Sequence, residues 1–358
     1  MGARPQFIKA AALSKAIMED GRIEEVIVHT GQHFDENMSD IFFTEMQIPQ
    51  PKYRFSINGL NHGAMTGRML EQIEDVILAE KPDLLLVYGD TNSTLAGALA
   101  AKKLKVKVAH VESGLRSYNM AMPEEINRIL TDRISDFLFC PTDTAVANLK
   151  REGFDTFPAV IRNTGDIMFD SLLLFKQYIG NASQEIRKIA EGTFILCTLH
   201  RAENTDDETR LTGIFNALNR IAEERVIILP LHPRTRKKID KIDLHDNIKI
   251  IDPVGYFEML YLLEHCSLVM TDSGGLQKEA FFNRKFCVTL RDETEWTELV
   301  DSHCNRLTGA DTELIVNTYH MLKDQQFTEN RNFYGDGHTA RHIIETLLME
   351  NAQSVKNL

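Results

Sequence analysis

The sequence lacks the signatures of several large enzyme classes. No G-x-x-x-x-G-K-[ST] loop, no G-x-G-x-x-G turn and no H-E-x-x-H helix occurs in its 358 residues, so kinase, dinucleotide-dehydrogenase and zincin readings find no support. Cysteine is sparse: the five residues at 140, 197, 266, 287 and 304 are odd in number, far apart and free of any C-x-x-C pair. Neither a disulfide framework nor a zinc site is expected from that spacing, and most of the thiols read as small buried apolar groups. No apolar run approaches the roughly 20 residues of a membrane-spanning helix. Met1 runs directly into GARPQF with neither a basic nor an apolar leader, which predicts a cytoplasmic chain without a membrane partner. Positive charge is also short. A formal net charge of −12 disfavours nucleic acid, whose phosphates are held by surface Lys and Arg. An anionic ligand therefore needs a local basic pocket, for which Arg4, Lys9, Arg201 and Arg234 are the candidates.

What is present is an ordinary globular composition, 43% hydrophobic and 26% charged, in a chain long enough for two cores. Short runs rich in Val, Ile and Leu alternate with segments of helical period, the pattern of α/β domains with parallel sheets. Strands are predicted at 26–30, 84–88, 106–110, 137–140 and 160–163, and again at 194–199, 226–231, 248–251, 268–271 and 286–290. The rhythm breaks near Asp166 to Asp170. The predicted division is a first domain over 1–166, a second over 167–334, and a terminal helical segment over 335–358.

Open parallel sheets build sites at the carboxyl ends of their strands, where helix N-termini offer free N–H groups. VYGDTNST places Asp90 between a strand and a helix, VAHVESG places Glu112 one strand on, and LHRAEN places His200 and Arg201 at the first strand end of the second half. Taken singly, Asp90 reads equally as a helix cap, Glu112 as a solvated loop residue and His200 as a structural histidine. Glu124, in PEE, resembles ordinary first-turn acidity. Their convergence on strand ends is what suggests acid/base chemistry, because carboxylates held together repel and one of them then exchanges protons near neutrality. In TDSGGLQKEA, Ser273, Gly274 and Gly275 follow a strand and open a helix, a turn suited to phosphate or to nothing more than a tight bend. Glu279, four residues after Gly275, reads either as a ribose ligand or as a solvated carboxylate. His232 follows another strand in LHPRTR. Phe257, in DPVGYFEML, suits packing against a base or an ordinary core.

Together the segments GARPQFIKAA, HTGQHFDENMS, YGDTNSTLAG, HVESGLRS, MPEEINR, LHRAEN, LHPRT and DSGGLQKEA resemble, in this order, the non-hydrolysing UDP-N-acetylglucosamine 2-epimerases. The resemblance spans nearly the whole chain. It implies two Rossmann-like domains in the glycosyltransferase-B arrangement with the ligand cleft between them, a homodimer, and UDP held mainly by the second domain. It also implies a terminal helix crossing back onto the first domain. By resemblance Asp90, Glu112, Glu124 and His200 are catalytic, and Arg4, Lys9, Arg128, His232, Ser273, Gly274, Gly275 and Glu279 bind the UDP-sugar. The implied reaction needs no metal or redox cofactor: UDP leaves across C1 and C2, and a 2-acetamidoglucal takes it back with C2 inverted. The product, UDP-N-acetylmannosamine, would supply cell-surface polysaccharide synthesis.

Three departures stand out. Family members carry a strand before the GARP-like segment, so a first strand is expected to be missing. The HFDENMS segment differs from that of substrate-activated members, which argues against such regulation. Trp296 stands where Arg is common, pointing to another sugar such as UDP-2,3-diacetamido-2,3-dideoxy-glucuronate, provided that Trp296 lines the pocket rather than the core. A glycosyltransferase of the same architecture and a non-catalytic UDP-sugar-binding protein are the competing classes.

Overall fold

In the computed structural model, residues 1–32, 43, 45–231, 233–240 and 242–356 are described. The chain packs as two units, one of Met1–Leu174 with Asn332–Leu358 and one of Phe175–Arg331.

In the first unit the strands Leu84–Tyr88, Lys107–Val111, Phe137–Cys140 and Val160–Asn163 lie side by side in chain order, all parallel. Successive residues of a strand point to opposite faces, and both faces are covered. Val87 and Val108 join Met69, Ile73, Ile77 and Ala96 on one side. Tyr88, Ala109, Val111 and Phe139 join Leu13, Ile17, Ile343 and Ile344 on the other. The second cluster explains why the final helix, Thr339–Lys356, belongs to this unit: its apolar stripe completes a core that the helix Arg4–Asp20 covers only in part. The latter helix starts well before the LSKAIMED segment, because Pro5 falls in its first turn, where a missing N–H costs nothing. Val28–His29 pairs with Tyr53–Arg54 as a separate two-stranded sheet. Met1 lies along the former, its amine donating to the Val28 carbonyl (2.8 Å) and its carbonyl accepting from Thr30 N–H (2.9 Å).

The second unit holds six parallel strands in the order Asn305–Leu307, Cys287–Thr289, Leu268–Thr271, Phe194–Thr198, Val226–Pro230, Ile248–Ile251. The chain builds outward from Phe194–Thr198 in one direction, then returns to Leu268–Thr271 and builds the other way. The crevice at the carboxyl ends of those two strands is the topological switch point. All five cysteines are buried in the two units, and burial pushes the Cys140, Cys266 and Cys287 thiols up to about 12. Among the described residues no helix is long and apolar enough to cross a membrane.

Candidate active site

Two sets of polar side chains gather at strand ends, one on each unit. On the first, the strand Leu84–Tyr88 ends in Gly89, whose positive φ of 60° turns the chain into Asp90 and the helix Asn92–Lys103. A methyl group at Gly89 would stand 3.2 Å from both Glu112 Oε2 and Lys9 Nζ, so the bare glycine is what lets the neighbouring turn come close. Glu112 itself has φ 71°, a strained value for a side chain with a Cβ. Its N–H and that of Ser113 both donate to the Phe139 carbonyl, at 3.0 and 3.1 Å. Lys9, buried on the first helix, forms an ion pair with Glu112. Gln6, one turn earlier, donates to the Tyr88 carbonyl (2.8 Å) and to Thr91 and Thr94 (both 3.0 Å). The GARPQF segment is thereby bolted to the turn that carries Asp90.

The helix Pro123–Ile134 supplies the rest. Arg128 pairs with Asp90 and with Glu125, the latter at 2.9 Å. Asn127 donates to the Asp90 carbonyl at 2.9 Å and to Asn92 Oδ1 at 3.2 Å. Of the two adjacent glutamates, Glu125 is buried and accepts from Ser117 N–H and Oγ and from Tyr118 N–H, at 2.9–3.0 Å. It is a structural residue. Glu124 is half-buried, and among the described residues its carboxylate has no hydrogen-bond or ion-pair partner. It lies one helical turn from Arg128, on the same face. Asp90, Glu112 and Glu124 are thus brought to one end of one sheet.

On the second unit, His200 and Arg201 follow the strand Phe194–Thr198 and Asp272 follows Leu268–Thr271, so they meet at the switch point. The fully buried Asp272 accepts from the backbone N–H groups of His200 (3.1 Å) and Arg201 (2.9 Å) and from Asn204 Nδ2 (3.3 Å). Its Oδ1 also lies 3.1 Å from His200 Nδ1, orienting a ring whose side chain is 57% exposed. Burial alone would raise the Asp272 carboxyl, yet its hydrogen bond to His200, the His200 charge and the backbone donors together hold it below the usual carboxylate range. Ser273 caps the helix Gly274–Phe282, its Oγ accepting from Leu276 N–H. Gly274 leaves room for Glu295 there: a Cβ would fall 2.4 Å from Glu295 Oε1 and 3.7 Å from Trp296 Nε1, so that carboxylate would have to shift. Gly275 is the next residue of that first turn, and Glu279 sits buried one turn on.

Other candidates fall differently. Arg4 opens the first helix, and His232 lies outside the described residues, as do residues 33–39 of the HFDENMS segment. Phe257 is 8% exposed and stacks on Tyr178 (5.4 Å, 19°) beside Phe175 and Tyr256; its environment is that of a packing aromatic. Trp296 is buried, with Lys278 Nζ 4.1 Å above its ring. Among the described residues no three His, Cys, Asp or Glu side chains are grouped as metal ligands. Asp272, Asn127 and Gln6 were absent from the residues singled out in the sequence. Only Asp272 carried a signal, as the acid directly between a strand and Ser-Gly-Gly.

The family profile described as UDP-N-acetylglucosamine 2-epimerase matches residues 15–348. A Pseudomonas aeruginosa protein named UDP-2,3-diacetamido-2,3-dideoxy-D-glucuronate 2-epimerase is 57% identical, over 97% of this chain and 98% of its own length. The UDP-N-acetylglucosamine 2-epimerase of Methanocaldococcus jannaschii is 42% identical, over 97% of both chains. The crystal structure of the M. jannaschii UDP-GlcNAc 2-epimerase in complex with UDP-GlcNAc and UDP matches with a TM-score of 0.90, covering 97% of this chain and 98% of that one. That of the Neisseria meningitidis enzyme bound to UDP-GlcNAc matches at 0.88 with 30% identity, over 97% and 98%. This chain belongs to the UDP-N-acetylglucosamine 2-epimerase family.

Proposed function

We infer that the chain inverts C2 of a UDP-linked 2-acetamido sugar without net hydrolysis. The observation that carries this reading is the gathering of Asp90, Glu112 and Glu124 at one sheet end, two with cations upon them and one with none among the described residues. In the first half-reaction a carboxylate takes the C2 proton, the C1–O bond breaks, and UDP departs to leave a 2-acetamidoglucal. In the second, UDP re-forms the C1–O bond and a different group delivers a proton to the opposite face of C2, so acid and base exchange roles and nothing is consumed. Asp90, Glu112 and Glu124 are the proton-transfer groups of the first unit. On the second, the Ser273–Gly274–Gly275 helix start and Arg201 hold the diphosphate, Glu279 the ribose, and His200, set by Asp272, assists the leaving UDP.

The preferred sugar is UDP-2,3-diacetamido-2,3-dideoxy-D-glucuronate, a reading supported by the 57% identity to a relative of that name. UDP-N-acetylglucosamine is the second reading, supported by the 42% relative. The burial of Trp296 beneath Lys278 supports a packing role for it rather than contact with the sugar. Proton NMR of the purified protein with each UDP-sugar in deuterated water tests the whole reading, since epimer formation, deuterium entry at C2 and free UDP appear in one spectrum. Deuterium at C2 with a new epimer is expected; release of UDP with no epimer would overturn it. Sedimentation should give twice the 40.8 kDa chain mass, as a homodimer requires.

A further inference from the structure

Behind the two carboxylate-bearing turns lies a buried ionic network for which the reaction above has no use. His110, on the strand Lys107–Val111, is fully buried. Its Nε2 is 2.7 Å from the Gly89 carbonyl and its Nδ1 is 2.7 Å from Asp132 Oδ1. Both ring nitrogens are therefore engaged, one by the Gly89 carbonyl and one by the Asp132 carboxyl. Asp132, also fully buried, accepts on its other oxygen from Gly114 N–H (3.1 Å) and Arg116 Nη1 (2.7 Å). Arg116 in turn makes a two-pronged pair with Glu152, at 2.7 and 2.8 Å. His110, Asp132 and Arg116 are buried, and Glu152 closes the network at its exposed outer end.

The geometry has a direction. Through His110, Asp132 fixes the carbonyl of Gly89, the residue before Asp90. Through its own Oδ2 it fixes the N–H of Gly114, two residues after Glu112, whose left-handed backbone is strained. One carboxylate thus grips both turns. It also stands in a row with the proposed reaction groups, since Glu124, Arg128 and Asp132 follow each other at intervals of four on one face of Pro123–Ile134.

We propose that Asp132 is a positioning residue for the epimerase, setting the Asp90 turn through His110 and the Glu112 turn through Gly114. This rests on the assignment of Asp90 and Glu112 as proton-transfer groups. Displacing reacting groups by about 1 Å costs on the order of 10²-fold in rate, and that is the effect predicted for loosening both turns.

The experiment compares Asp132→Asn, His110→Gln and Glu152→Gln, each near-isosteric, with Asp90→Asn and Glu112→Gln alongside. Turnover is followed by C2 deuterium exchange with whichever of the two UDP-sugars the wild type uses, folding by circular dichroism and Tm. In Asp132→Asn and His110→Gln, kcat should fall roughly tenfold to a hundredfold while KM and UDP affinity stay within about twofold. Glu152→Gln, which touches neither turn, should lower Tm and leave kcat unchanged. That contrast is one that a purely structural role would not produce. Wild-type kcat in Asp132→Asn and His110→Gln, or losses that merely follow the folded fraction in all three, would overturn the inference while the carboxylate reading stands. Full activity of Asp90→Asn and Glu112→Gln would instead overturn that reading, and the inference with it.

Discussion

At the residue scale, the adjacent Glu124 and Glu125 show how the same side chain takes opposite roles. Glu125 spends its lone pairs on the 117–118 backbone and Arg128, whereas Glu124 has no such partner among the described residues. Glu124→Gln and Asp90→Asn should therefore abolish epimerisation, by ~10²-fold or more for a lost proton transfer, with UDP affinity kept within about tenfold. Calorimetric titration of UDP beside the NMR assay checks both halves, and full activity in either variant removes that residue from the mechanism. Sequence motifs named Asp90, Glu112 and His200 because each sits where a strand gives way to a turn. They could not name His110, Asp132 or Asn127, whose partners are 16 to 37 residues away in sequence. The regular spacing of Glu124, Arg128 and Asp132 was there to be read. Nothing in it tells a hub from a solvated helix face until the strand Lys107–Val111 is laid against it.

At the element scale, strands of four or five residues were legible, and two of the four shortest were not. Leu84–Tyr88, Phe137–Cys140, Val160–Asn163, Ile248–Ile251 and Leu268–Thr271 match their predicted limits; most are apolar runs closed by turn residues, whereas Val160–Asn163 is half exposed and apolar only at Val160 and Ile161. Tyr53–Arg54 and Asn305–Leu307 are too short to show any period. They are strands because a neighbour supplies the ladder. The final helix gains its anchor in the same non-local way: its first N–H groups, Thr339 and Ala340, donate to Asp170 at 3.1 and 2.8 Å, a cap from a residue 169 positions earlier. Asp170→Ala should cost about 0.5–2 kcal/mol, the usual worth of an N-cap. It should also raise amide exchange at the start of Thr339–Lys356 before the rest of the unit. Uniform exchange across the unit, with unchanged Tm, would deny the cap that role.

On the scale of the whole molecule, buried carboxylates tie stability to pH in both units. Asp132 and Asp272 are each held below the usual carboxylate range against the pull of burial, chiefly by hydrogen bonds and charge from His110 and Arg116 in one case and His200 in the other. A depressed folded value means that their contribution is present above the unfolded value of about 3.9 and is lost as pH falls through the folded one. Asp170 runs the opposite way: burial raises it, so its contribution fades as pH rises through its folded value. Melting temperature should accordingly drop steeply below about pH 4, and Asp272→Asn should flatten that slope. An unchanged slope would show that the Asp272 carboxylate is no better held in the folded chain than in the unfolded one.

The first unit is made from both ends of the chain, with Phe175–Arg331 inserted between them. A ribosome produces the chain from its N-terminus, and domains tend to fold as they emerge. By the time Ile343 and Ile344 exist to close the core around Leu13 and Ile17, the whole of the second unit has already been made. During synthesis the apolar face of Arg4–Asp20 must therefore wait, uncovered, until Thr339–Lys356 has been translated after the second unit. A message that ends early yields not a protein short of one helix but one whose first-made half has never been able to finish folding.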